Sequence, residues 1–255
     1  MSENRPEFEL KLARSDADLR LAQNLRYEVF VAELGGDGPL VDHANRREAD
    51  RFDPVFDHLL LFDRARERAG SNPVVGAYRL LRDDRAAQAG QYYSEDEYDL
   101  GPLKASGRRL LELGRSCLHA DYRGGTAMFH LWSGLADYVD TNGIGLLFGV
   151  ASFHGTDPAA LAGPLSLLHH RYLAPPTLRV RSRAYQPMNL MAEDQIDRLA
   201  AMKATPALIK GYLRLGGLVG DGAYLDRDFN TTDICLIIDA DRVDPRQRSL
   251  YRRGA

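Results

Sequence analysis

Between Glu112 and Trp132 the chain reads ELGRSCLHADYRGGTAMFHLW, which sets a carboxylate, two arginines and a glycine pair ahead of an apolar run. A carboxylate inside an apolar segment is costly to bury alone. Glu112 therefore needs either a structural ion pair with a nearby arginine or a task in proton transfer, and perturbed carboxylates of this kind cluster at functional sites. In a regular strand Leu111, Leu113, Arg115 and Cys117 share one face and Glu112 the other, so Glu112 and Arg115 diverge unless Gly114 marks a bulge. Further on, Arg123, Gly124, Gly125 and Thr126 precede a helical run. The exposed amides of a helix N-terminus favour an anion such as a phosphate, and a plain glycine turn with a threonine cap accounts for the same residues. Asp57 and His58 form a second candidate pair, because imidazole titrates in the range useful for a general base; a hydrogen-bonded structural histidine fits that position as well.

These residues need a frame to hold them. The chain has 255 residues, 44% hydrophobic and 27% charged, enough for a sizeable core in one domain spanning 1–255, with a short basic tail from about 241. A net charge of −3 excludes a globally basic nucleic-acid binder. No run is long and apolar enough to cross a bilayer and MSENRPEFEL lacks the apolar core of a secretion signal, so a cytoplasmic address is expected, with contact at the inner membrane face open. Cys117 and Cys235 sit in apolar segments and read as buried thiols, and His154, His169 and His170 form no metal pattern.

Alternation predicts strands at Phe8 to Ala13, His58 to Asp63, Val74 to Leu81, Leu110 to Leu118, Leu146 to Ser152, Leu178 to Ala184 and Thr231 to Asp239. Ser15 opens a first helix that puts Arg26 and Phe30 on one face and stops before Gly35. Further helices are expected at Thr126 to Asn142, Pro158 to Tyr172, Ala192 to Lys203 and Pro206 to Leu215. The order is α/β with a mixed sheet.

This order resembles the Gcn5-related N-acyltransferase fold: a mixed, mostly antiparallel sheet with flanking helices, in which an acyl thioester lies in a splay between strands 4 and 5. Arg26, Phe30, Asp57, Arg79, Glu112 and Arg115 are similar to the signature of acyl-homoserine-lactone synthases. The pyrophosphate loop of acetyl-CoA-using members is degraded here to Arg123, Thr126 and Met128, which argues for a carrier-protein donor. ELGRSCLHADYR, LWSGLADY, LLFGVASFHG, PALIKGYLRLGG and FNTTDICLI resemble, in order, the acyltransferase subunits of ornithine lipid synthases.

That resemblance implies N-acylation of the α-amine of L-ornithine with a 3-hydroxyacyl group carried on the phosphopantetheine arm of acyl carrier protein, without a bound cofactor or metal. The acceptor amine must first lose a proton, with Glu112 the first choice of base, directly or through a water, and His58 beside Asp57 the second. Arg26, Arg79 or Arg115 could clamp the amino acid's carboxylate, and Asp53 or Asp57 the ornithine ammonium. A backbone N–H of LLFGVAS, around Phe148 and Gly149, is implied for the oxyanion. Arg179, Arg181 and Arg183 alternate into a basic stripe that, with Arg123, could steer an acidic carrier protein. The alternatives are the same chemistry on glutamine or another amino acid, a lactone synthase, against which the missing tryptophan after Phe30 counts, or a non-catalytic acyl-carrier or lipid-binding module.

Overall fold

The computed structural model describes residues 5–244. They divide into two compact units, one of residues 5–81 with Leu113–Gly143 and the other of Arg82–Glu112 with residues 144–244. The expected basic tail RQRSLYRRGA lies outside the described residues.

In the first unit β1 (Phe8–Leu12) lies antiparallel to β2 (Asp57–Asp63), which lies antiparallel to β3 (Val74–Arg82). The C-terminal part of β4 (Leu110–Leu118) borders β3. Helix α1 (Asp16–Arg26) starts where Ser15 Oγ accepts the amide of Asp18 at 3.1 Å, with Asp16 and Asp18 favouring the positive helix end. The helix then widens into a π-helical segment, Tyr27–Glu33, before Gly35 turns it off at φ +76°. Ala22, Leu25 and Val29 from this helix pack on Leu60, Phe62, Val74, Ala77 and Cys117, with Phe30 against their edge. Helix α2 (Ala127–Asn142) ends at Gly143, φ +60°. Its Gly134 admits β1 so closely that a Cβ there would stand 2.2 Å from Leu10 Cδ2.

In the second unit the first residues of β4 run parallel to β5 (Leu146–His154), and β5 lies antiparallel to β6 (Thr231–Asp239) over nine residue pairs. Leu218–Val219 and Tyr224–Asp226 also pair with β6. Helices α3 (Ala162–Tyr172) and α4 (Ala207–Arg214) belong here. The connection into β4 is built from Asp83–Ala89, the 3-10 turn Tyr93–Asp96, and Tyr98–Asp99, which pairs with Arg181–Ser182.

Three expected elements differ. The helix expected from Pro158 begins at Ala162, after a turn over residues 158–161. The strand expected at Leu178 to Ala184 shrinks to Arg181–Ser182, because the chain leaves a turn after Pro175 and takes its backbone bonds from Asp221 and Glu97. The helix expected from Ala192 is interrupted at Ile196 and Asp197, both extended, and restarts as Arg198–Ala204 where Asp197 caps it by accepting from Ala200 N at 3.0 Å.

Candidate active site

Three arginines and three acids form a buried network in the first unit. Arg26 comes from the last turn of α1, Arg79 from β3 and Arg115 from β4; Glu48 comes from the two-residue strand Arg47–Glu48, and Asp50 and Asp53 from the turn before β2. Arg26 is 1% exposed and Glu48 0%. Arg26 Nη1 and Nη2 donate to Asp53 at 2.8 and 2.7 Å, Nη2 also to Glu48 O at 2.5 Å, and Nε faces Glu48 Oε2 at 2.6 Å. Arg79 Nη1 donates to Asp50 at 2.6 Å and to Asp53 at 2.9 Å, with its guanidinium 4.4 Å from the centre of the Phe56 ring. Arg115 Nε donates to Glu48 at 3.0 Å. Gln23 Nε2 gives Asp53 a further bond at 2.8 Å.

The charges of the six side chains cancel, which lets them sit away from water. Burial alone would raise the Asp53 carboxyl, but the hydrogen bonds and charge of Arg26, then the charge of Arg79, hold it well below the usual carboxylate range. All three Arg26 nitrogens are engaged inside the protein, and both Asp53 oxygens accept from it. In this arrangement the two residues organise the turn before β2 rather than meet a substrate. Arg115 reaches its partner from a left-handed backbone, φ +47°, which breaks the regularity of β4 one residue after Gly114. Glu48 and Asp50 were absent from the expected site residues.

Glu112 stands in the second unit, on the last paired rung of β4 and β5, opposite Phe148. It is 1% exposed. Its carboxylate accepts the amides of Tyr93 at 2.8 Å and Ser94 at 2.6 Å, and the Ser94 hydroxyl donates to the same oxygen as the Ser94 amide. The acid thus gathers the turn Tyr93–Asp96, and the Ser94 hydroxyl brings an exchangeable proton into direct contact with it. Beside it the Tyr92 ring meets Phe148 edge-on, with centroids 5.1 Å apart. Leu146 N donates to Arg109 O, so by strand alternation the amides of Phe148 and Val150 share that edge of β5 and the Gly149 amide faces β6. Val150 is the first such amide past the last rung.

The remaining expected residues fall in separate places. Asp57 and His58 do not form a pair, since neighbours on a strand point to opposite faces. Asp57 accepts the Tyr138 hydroxyl at 2.6 Å, and His58 Nε2 lies 2.9 Å from Asp53 O. A carbonyl partner makes that nitrogen the N–H donor, and burial pushes the imidazole below its ordinary value, so His58 is neutral near pH 7. Arg123 grips Glu33 through Nη1 at 2.5 Å and Nη2 at 2.7 Å while donating to Leu118 O, and its salt bridge precedes the open turn at Gly124 (φ +77°), Gly125 and Thr126. Arg179 donates to Ala174 O, Arg181 to Asp221 and Arg183 to Glu95 O, so the three do not make a continuous strand face. Cys117 and Cys235 are buried thiols, and burial pushes Cys117 up to about 12. Among the described residues no helix is long and apolar enough to cross a membrane.

Residues 25–133 match the family model of the acetyltransferase (GNAT) domain. The chain is 58% identical to the L-ornithine N(alpha)-acyltransferase of Rhodobacter capsulatus, over 96% of this chain and 95% of that one. It is 43% identical to the protein of the same name from Brucella abortus (96% and 88% covered) and 39% to that from Rhizobium meliloti (97% and 85%). Among solved structures it is similar to FeeM, an N-acyl amino acid synthase from uncultured soil microbes, with a TM-score of 0.54, 12% identity and 93% of each chain covered. It is also similar to BjaI, a CoA-dependent acyl-homoserine lactone synthase, with a TM-score of 0.51, 13% identity and 92% and 81% covered. These two likenesses concern the fold.

Proposed function

Because the chain belongs to the L-ornithine N(alpha)-acyltransferase family, built on the acetyltransferase (GNAT) domain, we propose that it moves a 3-hydroxyacyl group from acyl carrier protein to the α-amine of L-ornithine. The observation that carries the reading is 58% identity to a relative of that name along nearly the whole of both chains. The product would be a lyso-ornithine lipid, made at or near the inner face of the membrane, and the donor would bring its own phosphopantetheine arm in place of a resident cofactor.

The α-ammonium must become an amine before it can attack. Glu112 takes its proton through Ser94: the ammonium proton passes to Ser94 Oγ as the serine's own proton moves to the carboxylate it already touches. The amine nitrogen then attacks the thioester carbon, and the amide of Val150 is the candidate donor to the oxygen that becomes negative. As the intermediate collapses the C–N bond stays, the C–S bond breaks, and the departing thiolate takes one of the two protons left on the nitrogen, so that the amide keeps the other. His58 is the second candidate base: it is neutral, with Nδ1 as the ring nitrogen that could accept a proton. Glu112 is favoured because it already holds a relay hydroxyl.

The test is purified protein with 3-hydroxyacyl carrier protein and a panel of amino acids, with products read by mass spectrometry. N-acyl ornithine is expected. A lactone from S-adenosylmethionine, or no amide with any acceptor, would overturn the reading.

A further inference from the structure

Tyr92 is 4% exposed, yet among the described residues its hydroxyl has no hydrogen-bond partner. A desolvated hydroxyl left unpaired is costly, and native proteins usually satisfy such groups, so an exception points to something that arrives later. The surroundings narrow what that is. The ring packs edge-on to Phe148, on the rung that also carries Glu112, and Lys104 Nζ lies 5.7 Å from the ring centre. Lys104 is itself held by Glu95 at 2.5 Å, and the Tyr92 amide donates to Glu95 at 2.8 Å, so the residue is pinned at both backbone and ring. Burial first, then the negative charges of Asp83 and Glu112, push the phenol well above its ordinary value, so it stays protonated and can donate a hydrogen bond at any working pH.

A single fixed O–H beside an aromatic wall suits a ligand that is mostly hydrocarbon with one polar atom. We propose that Tyr92 reads the donor chain: its hydroxyl pairs with an oxygen substituent near the thioester end of the acyl group and so selects 3-hydroxyacyl over unsubstituted donors. This rests on the reading of the protein as an acyltransferase and adds the residue that sets its donor preference. The selection is stronger than a gained contact alone, because a donor lacking the oxygen leaves the Tyr92 hydroxyl buried and unpaired in the complex.

Donor binding tests this without an acceptor. Calorimetry of the purified protein with 3-hydroxyacyl carrier protein and with acyl carrier protein of equal chain length is expected to show tighter binding of the first by about tenfold to a hundredfold. In Tyr92→Phe that ratio is expected to fall toward one. The phenylalanine removes an unpaired polar atom, so the variant should melt at the same temperature as the parent or above it. Equal binding of the two donors by the parent overturns the proposal, as does a ratio that survives in Tyr92→Phe. A lower melting temperature in Tyr92→Phe also overturns it, since the hydroxyl would then have a partner within the fold. Turnover with ornithine is scored separately: absence of N-acyl ornithine counts against the acceptor, and the binding ratio still decides the role of Tyr92.

Discussion

Replacing Arg26 with methionine keeps an unbranched apolar stem and deletes the guanidinium with its charge. Glu48 and Asp53, both buried, then lose the guanidinium that bonds each of them. Breaking a buried ion pair from one side costs about 3–5 kcal/mol. Arg115 still bonds Glu48 and Arg79 still bonds Asp53, so the lower end applies, about 3 kcal/mol. With a urea dependence of about 3 kcal/mol per molar, the midpoint moves down by about 1 M. The sole tryptophan, Trp132, lies in the same unit and donates to Tyr78 Oη at 3.0 Å, so its fluorescence follows the unit that is perturbed. The pH dependence has a definite sign. The folded Asp53 carboxyl is depressed, so its stabilising contribution is full above the unfolded value of about 3.9 and is lost as pH falls through the folded value. The gap between parent and Arg26→Met should therefore be wide at pH 7 and narrow below about pH 4. An Arg26→Met protein that melts in urea like the parent, while needing far more ornithine for half-maximal rate, would refute this reasoning and return Arg26 to the role of substrate clamp.

Glu112→Gln should lower kcat by about 10²–10⁴, while Ser94→Ala should lower kcat with ornithine KM little changed; a full-rate Ser94→Ala ends the relay. Both cysteines should resist a thiol reagent in the native protein and react in denaturant, since burial holds the Cys117 thiol up to about 12; labelling of either at neutral pH in the folded state contradicts this. Gly134→Ala, favoured in a free helix by about 1 kcal/mol, should nonetheless lower the melting temperature, because the new methyl meets Leu10 at 2.2 Å. A rise in melting temperature would show that α2 can retreat.

Strands with strong apolar patterning were readable almost to the residue: Leu110–Leu118 and Thr231–Asp239 are bounded as expected because alternation and flanking turn residues agree. Arg181 failed that logic. Its neighbours alternate like a strand, but which segments lie close enough to bond them is decided by Asp221 and Glu97, distant in sequence. Arg26, Asp53 and Arg79 were recognisable as unusual, yet residue type does not reveal that each one's partners are the others. Glu48 and Asp50 went unnoticed because READRFD reads as a solvated loop; a two-residue strand is too short to show a period. Tyr92 carried no signal at all, since an unpaired hydroxyl is a property of packing.

The π-helical stretch Tyr27–Glu33 has a consequence for comparing this chain with others. Its bonds close over one more residue than an α-helix uses, so it accommodates an additional amino acid within an otherwise continuous rod. A homologue one position shorter here could revert to ordinary winding and still leave Arg26 at its post, whereas the same deletion earlier in the helix would rotate that guanidinium off its acids. Alignments should accordingly open their gap between Tyr27 and Glu33, and length variation in the lineage should accumulate there first.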